Sequence, residues 1–236
     1  MNNYDGTGRR IVNADAGLNA FMTRMFAWMG LAVLVSAGSA YAVTEFFPSV
    51  MAMFNGGGIW IPLIAMFVFP FLISSQSMKN SGLSLVLLMI YAALMGAVFS
   101  FYTLIYTSTT IVSAFIASAA VFLVMAFIGA TTKRDLTRVG TQAVAALIAL
   151  IVINLLNAFI FKSSMISLVF SFIAVIIFTI LTATDTNKMK QIYMQNSGQI
   201  SVSGLAVMGA LQLYLDFVNL FLSLVQIFGA FGGSRD

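Results

Sequence analysis

The chain has 236 residues, of which 61% are hydrophobic and only 8% charged, with a mean hydropathy of +1.02. A soluble domain carries about a quarter of its residues as charges, so this composition belongs to an integral membrane protein. There is no cysteine and no histidine, which excludes disulfides, zinc or haem sites with those ligands, and serine–histidine triads. The net charge of +4 comes from a few scattered basic residues that orient a membrane protein, not from a nucleic-acid surface.

Residues 1–22 are polar, contain Arg9 and Arg10, and read as an amino-terminal cytoplasmic tail. Residues 23–236 then form a single transmembrane domain. The first span covers Thr23–Val43. Ala40-Tyr41-Ala42 is similar to a signal-peptidase site, but the preceding apolar run exceeds the roughly 7–15 residues of a signal core, so the helix is retained. A loop follows with Pro48 and the triplet Gly56-Gly57-Gly58. Without a following lysine or a strand–helix context, the triplet reads as a turn. Span two, Ile59–Ser75, holds Pro62 near its start and Pro70 inside, where a proline removes a helix hydrogen bond. Span three, Leu83–Ile105, has Ala92, Gly96 and Ser100 at steps of four, a small-residue face for close helix contact.

Span four is Ile111–Ala130, followed by a basic loop with Lys133, Arg134, Asp135 and Arg138. Span five, Val139–Phe161, contains Asn154 and Asn157, and only Lys162-Ser163 separates it from span six, Ser164–Thr184, which ends at Asp185. So short a turn makes spans five and six antiparallel neighbours. After a polar loop with Lys188, Lys190 and Gly198, the last apolar run extends from Gly204 to Phe231. The result is an all-α polytopic protein with seven transmembrane helices. With the amino terminus inside, Arg9, Arg10, Arg24, Lys79, Lys133, Arg134, Arg138, Lys188 and Lys190 are cytoplasmic, and only Lys162 and Arg235 are external. This positive-inside bias puts the carboxyl terminus outside.

The last run carries the most informative pattern. Gly209, Gln212, Asp216, Asn219, Ser223 and Gln226 recur at alternating steps of three and four and fall on one stripe of a helix. An aspartate in the middle of a span costs about 2.5–3.5 kcal/mol on an insertion scale, so Asp216 should face protein or water. The amides and serines also have an ordinary role as interhelical glue. Asp185, taken alone, is also consistent with an interface charge pairing Lys188.

Asp185-Thr186-Asn187-Lys188 followed by Leu213–Phe221 (Leu-Tyr-Leu-Asp-Phe-Val-Asn-Leu-Phe) resembles the transmembrane Bax inhibitor motif family, its bacterial branch in particular. Thr131–Leu136 after span four and the seven spans are similar too. The resemblance implies a last helix wrapped by the other six, a bacterial inner-membrane location, and a di-aspartyl site formed by Asp185 and Asp216. In that family the pair is linked to pH-dependent calcium leak, while some bacterial members modulate a membrane-anchored ATP-dependent protease. Two departures stand out: Thr184 occupies a position often held by tyrosine, and Gln76 one where some members carry a latching arginine, leaving Lys79 the only charge in that loop.

Two carboxyls within reach of each other and away from bulk water share a proton, because both do not ionise cheaply. Protonated, the expected pair is a hydrogen-bonded clasp; ionised, it repels or recruits a hard cation such as Ca²⁺. Asp185 and Asp216 are thus the expected pH-sensing gate and a weak Ca²⁺ site, with Gln212, Asn219, Ser223, Asn154 and Asn157 lining the path. Ca²⁺ is then cargo, with no resident cofactor and no enzymatic activity expected, and the partners are the bilayer, calcium and the alternative protease. An intramembrane aspartyl protease fits poorly, since neither aspartate follows a Gly-x-Gly, and no internal repeat marks a secondary transporter.

Overall fold

The computed structural model describes residues 14–47, 49–50, 60–196 and 200–232. Arg9, Arg10, Pro48, the Gly56–Gly58 triplet, Gly198 and Arg235, all used above, lie outside the described residues, as do residues 1–13 of the expected tail. The described residues form helices: α1 (Ala14–Phe46), α2 (Trp60–Ser77), α3 (Ser81–Phe99), the single turn α4 (Tyr102–Ile105), α5 (Ser108–Thr131), α6 (Thr137–Leu156), α7 (Ser164–Gln195) and α8 (Val202–Gly232). Six segments are long and apolar enough to cross a membrane: α1, α3 with α4, α5, α6, α7 and α8. The apolar part of α2, Ile64–Ser77, is shorter.

Local chemistry sets the ends. Asn80, Thr107 and Ser163 cap α3, α5 and α7, each accepting the backbone N–H of the third residue on. Span three breaks at Ser100-Phe101, where the chain turns into α4. Helix α6 ends in a π-helical turn, Asn157–Phe161, and Lys162 takes the left-handed conformation, φ 49°, that closes it. The Asn157 side chain staples this turn: Nδ2 donates to Ser163 O (3.1 Å) and Ser167 Oγ (2.9 Å), and Oδ1 accepts from Ser163 N (3.2 Å).

Two helices differ from their expected bounds. Helix α1 begins at Ala14, so residues 14–22 are helical rather than part of a tail. Helix α7 continues ten residues beyond Asp185, through Gln195, because Thr186–Gln195, though polar, has a buried face at Thr186, Asn187 and Met189.

Among the described helices, α8 contributes the most buried residues. Of its most apolar window 72% is buried, against 11% for α6, and it packs against α1, α2, α3, α5 and α7. Close approach is set by small residues. Gly96 of α3 lies on the Ser36 backbone of α1, Gly129 of α5 on Ala183 of α7, and Gly204 of α8 on Ser77 of α2. At each, a methyl group would overlap a carbonyl oxygen. The expected face Ala92, Gly96 and Ser100 is buried, and Ala92 O accepts Ser36 Oγ at 2.8 Å. Helix α6 is the exception, since its packing partner is α7 and a cavity separates it from α8.

Candidate functional site: an acidic cavity between α6, α7 and α8

The position of the two aspartates follows from helix lengths. Asp185 lies ten residues before the end of α7, and Asp216 fourteen residues after the start of α8. At 1.5 Å per residue these are about 15 and 21 Å from the α7–α8 connection, so an antiparallel hairpin brings them to similar depth. Ending span six at Thr184 had put Asp185 at its boundary; the extra helical turns place it inside.

Both aspartates are buried, Asp185 at 8% exposure and Asp216 at 4%, and both line one cavity of about 550 Å³. Helix α8 contributes Gln212, Leu215, Asp216, Asn219, Leu222, Ser223 and Gln226, which is the polar stripe with two leucines. Helix α7 adds Asp185 and, toward its amino-terminal end, Ser167 and Ser171; α6 adds Asn154 among Val144, Leu147, Leu150 and Ile151. The polar groups thus run the length of the cavity, from the aspartates at one end to Gln226, which accepts Ser171 Oγ at 2.6 Å, at the other.

The carboxyls interact electrostatically with each other, but no hydrogen bond joins them. The Gln212 side chain, one turn before Asp216 on the same face of α8, lies beside Asp185 in the cavity, and Lys188 acts on Asp185 through space from an exposed position. Asp216 Oδ2 is buried and has no hydrogen-bond partner, an unusual state for a carboxylate oxygen.

Other expected site residues are distributed as follows. Asn219 and Ser223 line the cavity while bonding to their own helix, Asn219 Nδ2 to Leu215 O (2.8 Å) and Ser223 Oγ to Asn219 O (2.7 Å). Asn154 lines the cavity from α6, but Asn157 does not: its amide is committed to the π turn. Gly209 belongs to the stripe by spacing but faces Met25 and Met189. Neither Gln76 nor Lys79 lines the cavity. For a metal, the described residues hold no cluster of three acidic side chains, so the cavity offers two carboxylates and neutral amide oxygens, fewer than the six to eight ligands of a tight Ca²⁺ site.

The sequence reading missed the attachment of the basic loop to α7. Asn187 Nδ2 donates to Gly129 O (3.2 Å), and Lys190 Nζ donates to Ala130 O (2.7 Å) and Thr132 O (3.2 Å), satisfying carbonyls at the end of α5. Gln191 bridges to Asp135 Oδ1 (3.4 Å) and Asn187 Oδ1 (2.7 Å). Asp135 also accepts the Thr137 hydroxyl (2.5 Å) and N–H (2.8 Å), and these bonds hold its carboxyl below the usual aspartate range. Residues two to six beyond Asp185 thus fix the neighbouring loop. By pattern they belong to a polar loop, and neither the helix that carries them nor their partners is legible there.

Six long apolar helices, with two buried aspartates lining a cavity between three of them, define a polytopic α-helical membrane protein with an internal acidic cavity. The chain belongs to the family described as inhibitor of apoptosis-promoting Bax1, whose model matches residues 18–233. It is 40% identical over 223 residues to the uncharacterized protein YrjE of Lactococcus lactis, covering 93% of this chain and 94% of that relative. It is 41% identical to a membrane protein of Streptococcus pyogenes serotype M1, covering 92% and 95%. The inner membrane protein YbhL of Escherichia coli K12 is 35% identical, covering 93% and 95%. Membership and the six apolar helices make this an integral membrane protein.

Proposed function

We propose that the chain is a slow, pH-sensitive cation leak, with calcium as cargo, gated by Asp185 and Asp216. It crosses the membrane seven times. The seventh span is α2, whose 18 residues extend about 27 Å against a hydrocarbon core of about 30 Å. The end carrying Lys133, Arg134, Arg138, Lys188 and Lys190 is cytoplasmic by the positive-inside rule, and the carboxyl terminus is external. Helix α8 is the central element, with five neighbours against it and α6 across the cavity.

The observation that carries this reading is Asp216 Oδ2, buried without a partner in a cavity that also holds Asp185. A bare carboxyl oxygen there is where a proton or a cation binds. With a proton on the pair, the apolar walls from α6 and α7 face a neutral site and the path is shut. Without it, two anions repel, Gln212 remains with Asp185, and a cation is drawn in by carboxylate and amide oxygens. Two carboxylates bind Ca²⁺ weakly, which suits passage better than storage.

Calcium flux into proteoliposomes tests the reading. Flux through the wild-type protein should rise as pH is raised from acidic toward neutral, and Asp216→Asn should lose the pH dependence. Equal flux in both proteins at every pH would refute the gate. If the protein instead modulates a membrane-anchored protease, removing residues 1–13 should change substrate turnover by that protease while Asp216→Asn leaves it unchanged.

A further inference from the structure

A second cavity lies on the opposite face of α8. It measures about 290 Å³ and is walled by α1, the α3–α4 segment and α5, with Tyr214, Phe217, Val218 and Phe221 of α8 as its floor. Helices α1 and α5 do not pack against each other, and the cavity fills the gap between them. Its rim is exposed: Ala37 on α1, and Val112 (55%) and Phe115 (38%) on α5. Flanking residues Leu34 and Ile116 are exposed as well, so the opening is continuous with the lipid-facing surface.

Nothing inside selects a polar ligand. The lining carries no charged residue. Ser36 and Tyr214 at its base bond each other and backbone, Ser36 Oγ to Tyr214 OH (2.7 Å), Ala32 O (3.0 Å) and Ala92 O (2.8 Å), and Thr103 Oγ1 donates to Ser100 O (2.6 Å); Tyr102 is the remaining hydroxyl-bearing residue of the lining. Aromatic rings line much of the interior, with Phe115 edge-on to Phe217 and Phe221, and Phe99 edge-on to Phe221. An apolar cavity about half this size, ~150 Å³, stays dry and takes up benzene. This one, at about 290 Å³, has roughly twice that volume.

We propose that this crevice binds one acyl tail of a bilayer lipid, entering between α1 and α5 and lying against the aromatic face of α8. The bilayer presents such chains at the opening, and a tail in the gap adds contacts to the α8 floor beyond those Phe115 already makes with Phe217 and Phe221. The proposal is independent of ion leak.

The test is contact quenching by lipids brominated at mid-chain, in vesicles of phosphatidylcholine. With Trp28 and Trp60 replaced by phenylalanine, one tryptophan is introduced at Phe217, or alternatively at Phe221, and in a separate protein at the exposed Phe127. The expected result is that the floor tryptophan, at a position 5% exposed for Phe217, is quenched at least half as strongly as Phe127→Trp. Adding Ala37→Leu at the rim should reduce that quenching several-fold and leave Phe127→Trp unchanged. If tryptophans at both floor positions ignore brominated tails, the proposal fails. It fails equally if their quenching disappears as protein density rises, because a second copy would then occupy the crevice.

Discussion

Replacing Gly129 by alanine tests how tightly α5 is held on the part of α7 that carries Asp185. The added methyl would overlap the Ala183 carbonyl oxygen and stand 2.9 Å from Thr186 Cβ, and neither neighbour is a flexible side-chain end. The helices must separate, which also strains the bond from Asn187 Nδ2 to Gly129 O. Overpacking of this kind costs about 1–3 kcal/mol, and the hydrogen bond adds about 1 kcal/mol. Against this stands the gain of about 1 kcal/mol that alanine has over glycine inside a helix, leaving a net loss of about 1–3 kcal/mol. Gly30 and Gly38 of α1 are the controls, because a methyl at either meets nothing within 4 Å; Gly30→Ala and Gly38→Ala should be neutral or stabilising by up to about 1 kcal/mol. Equilibrium unfolding in detergent micelles measures all three. A Gly129→Ala protein as stable as the controls would refute the close α5–α7 contact.

Two further predictions concern single polar groups. Ser36→Ala leaves the Tyr214 hydroxyl, fully buried, without its partner, at a cost of about 1–3 kcal/mol. Tyr214→Phe should cost less, about 1 kcal/mol or below, because Ser36 Oγ keeps two backbone acceptors; the reverse order by micelle unfolding would overturn the assignment. The second is Asp135, whose folded-state carboxyl is held low by Thr137 and Gln191. Its contribution to docking the basic loop is complete above the unfolded-chain value of about 3.9 and is lost as pH falls through the lower folded value. In an NMR titration the Thr137 amide should report a midpoint below that of a free aspartate, and Asp135→Asn should abolish the transition. A midpoint at or above the free value would show that the loop is not held this way.

What the residues disclosed beforehand was mainly what periodicity and hydropathy control. Asp216 on an amide-bearing stripe had to face inward, and it does, because a lipid-facing carboxyl is too costly. The small-residue face at Ala92, Gly96 and Ser100 was legible for the same reason: only close helix contact uses it. Less legible were features decided by partners distant in sequence. Thr186–Gln195 is polar and reads as a loop, yet continues α7 because Asn187 and Lys190 find carbonyls at the end of α5. Asn154 and Asn157 are three apart and alike by pattern. One faces the cavity, and the other is taken by a π turn that hydropathy does not reveal. Gln212 falls on the stripe by spacing, but that it shares a cavity with Asp185 depends on how far α7 extends.

Helix α6 packs on α7 and is tied to it at both ends, but it does not pack on α8. The Asn157 staple ties one end to α7, and the loop gripped by Asn187, Lys190 and Gln191 ties the other to the same helix. A rod anchored in this way has few independent movements: it bows in the middle, or it travels with α7 as one slab. Bowing changes the chamber's width beside Leu147 and Leu150, whereas a shift of the α6–α7 slab moves Asp185 relative to Asp216 and Ser171 relative to Gln226 together.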